Sequence, residues 1–271
     1  MVDCELYVLV ENYAALEAGP GPAARDGELR YWRPPYEPDL AEAYRWQLEI
    51  LAEVDRRWPS TAAGFKISIV AEEDRGGVGA TEPAFGRLRD VSFVPSGSSV
   101  ALDRLNGPLI EPELQLRNHA SLHSTMRNEE LAAVMEVAGG IELPVSRVVG
   151  WRSADDDERI TLGEFIADNA GSGVIVLGRT WIPATDVDLT DVSVELGLPD
   201  GTRLPGHSGR VMGNPLNALR WLLAKLEAMG EEYPAGLTVS SGALRPPTVA
   251  TAGTFAATFG SGLGTIAVEF V

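Results

Sequence analysis

Pro108-Leu109-Ile110-Glu111-Pro112-Glu113-Leu114-Gln115-Leu116-Arg117 is the segment on which the fold class turns. Residues alternate here with a period of two, as in a half-buried strand. Ile110, Pro112, Leu114 and Leu116 fall on one face; Glu111, Glu113, Gln115 and Arg117 fall on the other. Two carboxylates two residues apart on one strand face repel each other, and burying both is costly without compensation. A hard divalent cation such as Mg²⁺ or Mn²⁺ compensates such an all-oxygen set. The competing reading is a solvated face of an edge strand, where a proline lacking its N–H is tolerated. Spacing alone leaves both open.

Further strands are expected on either side. Lys66-Ile67-Ser68-Ile69-Val70 alternates, and 71–79 reads as a charged, glycine-containing loop. Asn128 is expected to cap a helix running to about Val137 and stopped by Gly139-Gly140, with a strand over 141–149. Thr161 and Glu164 form a capping box for a short helix, and 174–177 reads as a buried strand. Asn214, Pro215 and Gly230 bracket the clearest helix, with Leu216, Leu219, Leu223 and Leu226 as its stripe. Upstream, Asp39 and Glu42 open a helix with Tyr44, Leu48 and Leu51 at helical spacing, ending near Trp58-Pro59. The tail from Gly236 fits short strands and hairpins, with Gly260-Ser261-Gly262-Leu263-Gly264 a hairpin rather than a dinucleotide loop. Regular βαβ alternation and internal repeats are absent, so the class is α+β, with a mainly helical segment over 1–60 and a sheet domain over 61–271.

The chain has 271 residues, 22 basic against 39 acidic, and a net charge of −17. Nucleic-acid binding needs the opposite surface, and an acidic membrane would repel this one. No stretch approaches the roughly 18 apolar residues of a membrane span, and no signal peptide is evident, so a soluble cytoplasmic protein is expected. The single cysteine, Cys4, excludes an internal disulfide and lacks a basic neighbour that would activate it.

Other candidate chemistry is sparse. Glu142 opens a strand and is either a third carboxylate or an exposed strand residue. Lys66 interrupts an apolar strand, as an outward-facing lysine or as an acid/base or carboxylate-gripping group. His119 and His123 are four apart, but in a loop-like context that reads as solvated; His207 sits among glycines. A Gly-x-Ser-x-Gly elbow is absent.

Taken in order, several motifs resemble the 2-keto-4-pentenoate hydratase / 4-oxalocrotonate decarboxylase branch of the fumarylacetoacetate hydrolase superfamily. They are Ala43-Tyr44-Arg45-Trp46-Gln47, Gly64-Phe65-Lys66-Ile67, Glu111-Pro112-Glu113-Leu114, Ile141-Glu142 with Ser146-Arg147, Ala167-Asp168-Asn169-Ala170, and Gly213-Asn214-Pro215-Leu216-Asn217-Ala218. Ser241-Gly242-Ala243-Leu244, Ala252-Gly253-Thr254 and Gly262-Leu263-Gly264 resemble its closing strands. The resemblance runs from about Ala43 to the C-terminus and implies a rolled mixed β-sheet with flanking helices. It implies Glu111, Glu113 and Glu142 as ligands of Mg²⁺ or Mn²⁺, Lys66 as acid/base or carboxylate-binding group, and substrate contacts from Asp168 and Ser172. It further implies a small 2-oxo acid substrate chelated through its carboxylate and 2-oxo group, and association into a homo-oligomer. The implied reaction is a lyase one, hydration of a dienol first. Decarboxylation, isomerisation or a non-catalytic partner role are the alternatives. In two places the chain departs from the pattern: Ala84 stands where the hydratases have Asp, and Gly171, followed by Ser172, where Ser is common. The implied site is therefore altered.

Overall fold

The structure is a computed structural model that describes residues 33, 34, 36–76, 79–153, 155 and 158–271. The expectation for Cys4, and that for the part of the 1–60 segment preceding residue 33, lie outside these residues. The described chain opens with α1 (Leu40–Arg57), β1 (Ala62–Ser68), α2 (Glu72–Gly76), β2 (Ala84–Arg89), β3 (Phe93–Pro95), β4 (Ser98–Val100) and β5 (Leu109–Asn118). It continues with α3 (Asn128–Ala132), β6 (Met135–Leu143), α4 (Leu162–Ala167), β7 (Val174–Leu177), β8 (Ile182–Pro183), β9 (Ser193–Gly197) and β10 (Arg203–His207). Last come α5 (Pro215–Ala228), β11 (Thr238–Ala243), β12 (Thr248–Val249), β13 (Gly253–Phe259) and β14 (Gly264–Phe270).

These strands make two mixed sheets, as the α+β reading expects. The larger runs β2-β1-β11-β5-β6-β7-β3, with β12 also on β5 and β8 also on β6; the smaller runs β10-β9-β13-β14-β4. β5 is therefore central, which removes the edge-strand reading of Glu111-Pro112-Glu113. Pro112 is tolerated there for a local reason. Its carbonyl accepts from Leu244 N, so the N–H it lacks would point to the side where the β5–β11 register slips between Ser240 and Ala243.

The largest correction concerns 128–140. The helix from Asn128 is one turn long, and the chain is already extended at Met135, so Gly139-Gly140 lies inside β6. A Cβ on Gly139 would stand 2.7 Å from Ile266 and Phe259 of the second sheet. One on Gly140 would stand 2.7 Å from the Gln115 side chain. These glycines make room for a packed sheet and for a buried amide; they do not end a helix. The loop expected over 71–79 contains the short α2, and Leu48 on α1 is exposed.

The buried face of α1 instead carries Ala43, Tyr44, Trp46, Gln47, Ile50, Leu51 and Val54, and it packs against α4. Gln47 is fully buried and donates to Phe85 O at 3.1 Å and Ile166 O at 3.0 Å, tying β2 to α4. Tyr44 stacks on Phe85 at 4.6 Å. The capping box at Thr161 forms as expected, as does α5 with its Asn214 cap and left-handed Gly230.

After α4 the chain turns through three left-handed residues, Asn169, Ala170 and Gly171. For Ala170 this conformation costs about 1 kcal/mol or more, so neighbouring contacts must hold it. The Asn169 side chain pairs with Arg87 like a strand partner, accepting from Arg87 N at 2.7 Å and donating to Arg87 O at 2.9 Å. Gly86 permits this approach, because a Cβ there would lie 2.2 Å from Asn169 O, a backbone atom with little freedom to yield. Gly86→Ala is therefore expected to destabilise the protein by about 2 to 3 kcal/mol, read as a lower urea midpoint at unchanged slope. A midpoint equal to wild type would show that the turn does not depend on this contact.

Candidate metal centre and cleft

β5 and β6 are antiparallel neighbours, and their register sets Glu111 directly across from Glu142, with Glu113 across from Gly140. Period-two geometry turns Glu111 and Glu113 to one face, and Glu142 joins them there. Carboxylate oxygens of the three lie within 4.8 Å of one another. Glu113 and Glu142 are fully buried and Glu111 is partly exposed.

Some compensation comes from neighbouring strands. Ser240 Oγ donates to Glu113 Oε2 at 2.5 Å and Gly242 N donates to the same oxygen at 2.9 Å. Gln115, in the space left by Gly140, donates to Ser240 Oγ at 2.6 Å and so fixes that hydroxyl. Lys66, 1% exposed on β1, reaches Glu142 Oε1 at 3.0 Å and donates to Ala170 O at 2.7 Å and to Ser68 Oγ. One lysine faces three carboxylates. Glu113 Oε1 and Glu142 Oε2 remain buried without a hydrogen-bond partner among the described residues. Orphaned buried acceptors of this kind are rare and call for an unplaced group. An all-oxygen set with two bare oxygens fits a hard divalent cation that keeps open positions.

The cluster opens on a cleft of about 250 Å³ lined by Lys66, Ser68 and Glu111, and by apolar groups including Ile69, Trp151 and Phe165. Phe165 lies 5.7 Å from Lys66 Nζ, and Trp151 stacks on Phe165 at 5.9 Å with an interplanar angle of 6°. The half-buried Arg159 lines the same cleft.

The chain belongs with known proteins at this level of similarity. It is 30% identical over 209 residues to 2-keto-4-pentenoate hydratase of Paraburkholderia xenovorans (strain LB400), covering 76% of this chain and 75% of that one. It is 27% identical over 234 residues to 4-oxalocrotonate decarboxylase of Pseudomonas putida, covering 86% of each. This chain is a member of the 2-keto-4-pentenoate hydratase / 4-oxalocrotonate decarboxylase branch of the fumarylacetoacetate hydrolase superfamily. No protein-family model matches it. The solved 4-oxalocrotonate decarboxylase from Pseudomonas putida G7, complexed with magnesium and adipate, shares its fold with a TM-score of 0.78 at 24% identity, covering 98% of this chain and 97% of that one.

Against that family pattern, the structure gathers Lys66, Glu111, Glu113 and Glu142 but does not bring Asp168 or Ser172 into the cleft lining. The Asp168 carboxylate is engaged by Ser146 Oγ at 2.7 Å, Arg147 N at 2.8 Å and Arg147 Nε at 2.5 Å. Arg147 in turn donates to Asp168 O and Ser172 O, so this pair braces the 168–172 turn. Ser172 lines a separate, smaller cavity beside Arg89 and Arg147. Ala84 is buried on β2 opposite Ser68. His119 and His123 stay exposed, His119 beside Glu136 at 3.2 Å, and His207 pairs with Asp191. Sequence reasoning missed Ser68, Gln115 and Ser240. The first two carry a readable signal, each lying two residues beyond a site residue on the same strand face.

Burial raises all three carboxyls. Burial pushes Glu111 up to about 8 from an ordinary 4.5, with Glu142 adding to the rise and Lys66 opposing it. Burial also holds Glu113 well above its usual range, with Glu142 and Glu111 adding; burial raises Glu142 against the opposing Lys66. A carboxyl whose folded value exceeds its unfolded one keeps a proton in the folded state that the unfolded state has lost. Its stabilisation is present below about pH 4.5 and is lost as pH rises toward 8. The metal-free protein is therefore expected to melt at progressively lower temperature from about pH 5 to about pH 8, and Mn²⁺ affinity is expected to rise over the same window as the cation replaces protons. Melting curves of wild type and Glu111→Gln check this. A profile no flatter in Glu111→Gln than in wild type would remove Glu111 as the source.

Proposed function

We propose that this protein is a divalent-metal-dependent lyase acting on a small 2-oxo acid or its dienol, with hydration of a 2-keto-4-pentenoate-like substrate as the reaction. The observation that carries this reading is the convergence of three carboxylates within 4.8 Å, two of whose oxygens are buried and bare. Glu111, Glu113 and Glu142 would hold the cation, Mg²⁺ or Mn²⁺. When bound, it supplies Lewis-acid polarisation of a substrate oxygen. The chain's own residues do the rest. Ser240, Gly242 and Gln115 fix Glu113. Lys66 offsets part of the negative charge, and the Trp151–Phe165 wall presents an apolar surface to the substrate's carbon tail. A site with Ala84 in place of a carboxylate lacks one acid/base group of the family pattern, and on this reading Lys66 and its neighbours carry proton management alone.

Arg159 favours a second reading. A guanidinium among the groups lining the cleft suits a second carboxylate on the substrate, and on that reading the same metal site decarboxylates a 2-oxo diacid. Carbon dioxide release separates the two reactions.

Oxalate imitates the chelating end of a 2-oxo acid. Mn²⁺ with oxalate at about a hundredfold excess over Kd is expected to raise the melting temperature of wild type by about 5 °C. Glu113→Gln removes one of the crowded charges, so it is expected to melt above wild type without metal and to show no shift with Mn²⁺ and oxalate. Absence of any shift in wild type with either Mg²⁺ or Mn²⁺ would contradict the metal-enzyme reading.

A further inference from the structure

The hydrogen bonds of Lys66 limit what it can offer a substrate. An ammonium has three N–H bonds. Nζ donates to Ala170 O and Ser68 Oγ and forms an ion pair with Glu142 Oε1 at 3.0 Å. Lys66 thus lines the cleft while its ammonium, 1% exposed, is turned to partners in the wall. Of its three partners, only the Ser68 hydroxyl both accepts and donates. Ser68 is half-buried and lines the cleft, and among the described residues its O–H has no acceptor. Directly across the β1–β2 ladder stands Ala84, which offers none.

The backbone fixes this hydroxyl in place. β1 ends at Ser68 because Ile69 is left-handed, with φ 50°, a conformation unfavourable for a β-branched residue. The following Val70 packs onto Gly242, where a Cβ would stand 2.6 Å from Val70 Cγ1 and 3.2 Å from Ile67 O. Gly242 is also the residue whose N–H holds Glu113. The strained end of β1 is thus locked to the segment that orients the carboxylate cluster.

We propose that Ser68 is a catalytic residue that touches the substrate, donating its O–H to the developing negative charge on the bound 2-oxo acid, and that Lys66 acts through it by orienting this hydroxyl. This rests on the metal-lyase reading above. No bond to Ser68 forms or breaks; the hydroxyl acts as an oriented donor.

The test uses the Mn²⁺-loaded protein as wild type, Ser68→Ala and Ser68→Thr. Calorimetry reads Mn²⁺ and oxalate affinity, and kinetics reads kcat and KM with 2-keto-4-pentenoate supplied as its dienol. Ser68→Ala is expected to lower kcat about a hundredfold and to weaken oxalate about tenfold, with Mn²⁺ affinity unchanged. Ser68→Thr keeps the hydroxyl and is expected to recover both to within about threefold. Ser68→Ala with kcat and oxalate affinity within about twofold of wild type, or Ser68→Thr as impaired as Ser68→Ala, would overturn the proposal. Wild type that binds oxalate but does not turn over the dienol would refute the substrate, leaving the oxalate comparison to decide Ser68. Wild type that binds neither Mn²⁺ nor oxalate would overturn the metal reading and this inference with it.

Discussion

Like charges crowded on two adjacent strands impose the constraint around which this molecule is arranged. Glu111 and Glu142 face each other directly across the β5–β6 ladder, and Glu113 lies diagonal to Glu142. An unpaired buried charge costs several kcal/mol, so three ionised carboxylates with a single lysine would consume much of the 5–15 kcal/mol that keeps a typical domain folded. Two remedies exist: the carboxyls hold protons, or a cation replaces them. Burial and the neighbouring Glu142 push Glu111 in the direction of the first remedy, and the bare oxygens of Glu113 and Glu142 are suited to the second.

Much of the surrounding structure serves the placement of these groups. α1 uses Gln47 to bind the backbones of β2 and α4, and Asn169 joins the turn after α4 to β2 through Arg87. Arg147 and Asp168 brace the same turn from the other side. The outcome is a carbonyl, Ala170 O, held in a left-handed segment where Lys66 meets it. Two adjacent glycines in β6 have separate tasks: Gly139 admits the second sheet, and Gly140 admits the Gln115 amide that sets the Ser240 hydroxyl on Glu113.

Local patterns announced themselves in the sequence where one physical rule dominates. The alternation over 108–117, the capping box at Thr161 and the Asn214-Pro215 start of α5 are each decided by a few neighbouring residues, and they appear as expected. Gly139-Gly140 misled because glycine ends helices and also opens space in strands; only the partner across the sheet separates the two uses. The central position of β5 was equally hidden, since Pro112 resembles an edge signal until the register slip beside β11 is known. Of the site, the carboxylates and Lys66 were legible as residue types. Their convergence was implied by family resemblance alone, because it depends on pairing between strands separated by many residues. Asp168 and Ser172 fit a motif, but the ion pair with Arg147 and the separate cavity become visible only in three dimensions.

Diffraction from crystals of this protein grown with Mn²⁺, with data collected at the manganese absorption edge, addresses the metal site most directly. A single strong anomalous peak within bonding distance of Glu111, Glu113 and Glu142 oxygens is the expected result. A peak only at surface carboxylates, or none with Glu142 still held by Lys66 alone, would contradict the assignment of these three residues to a cation.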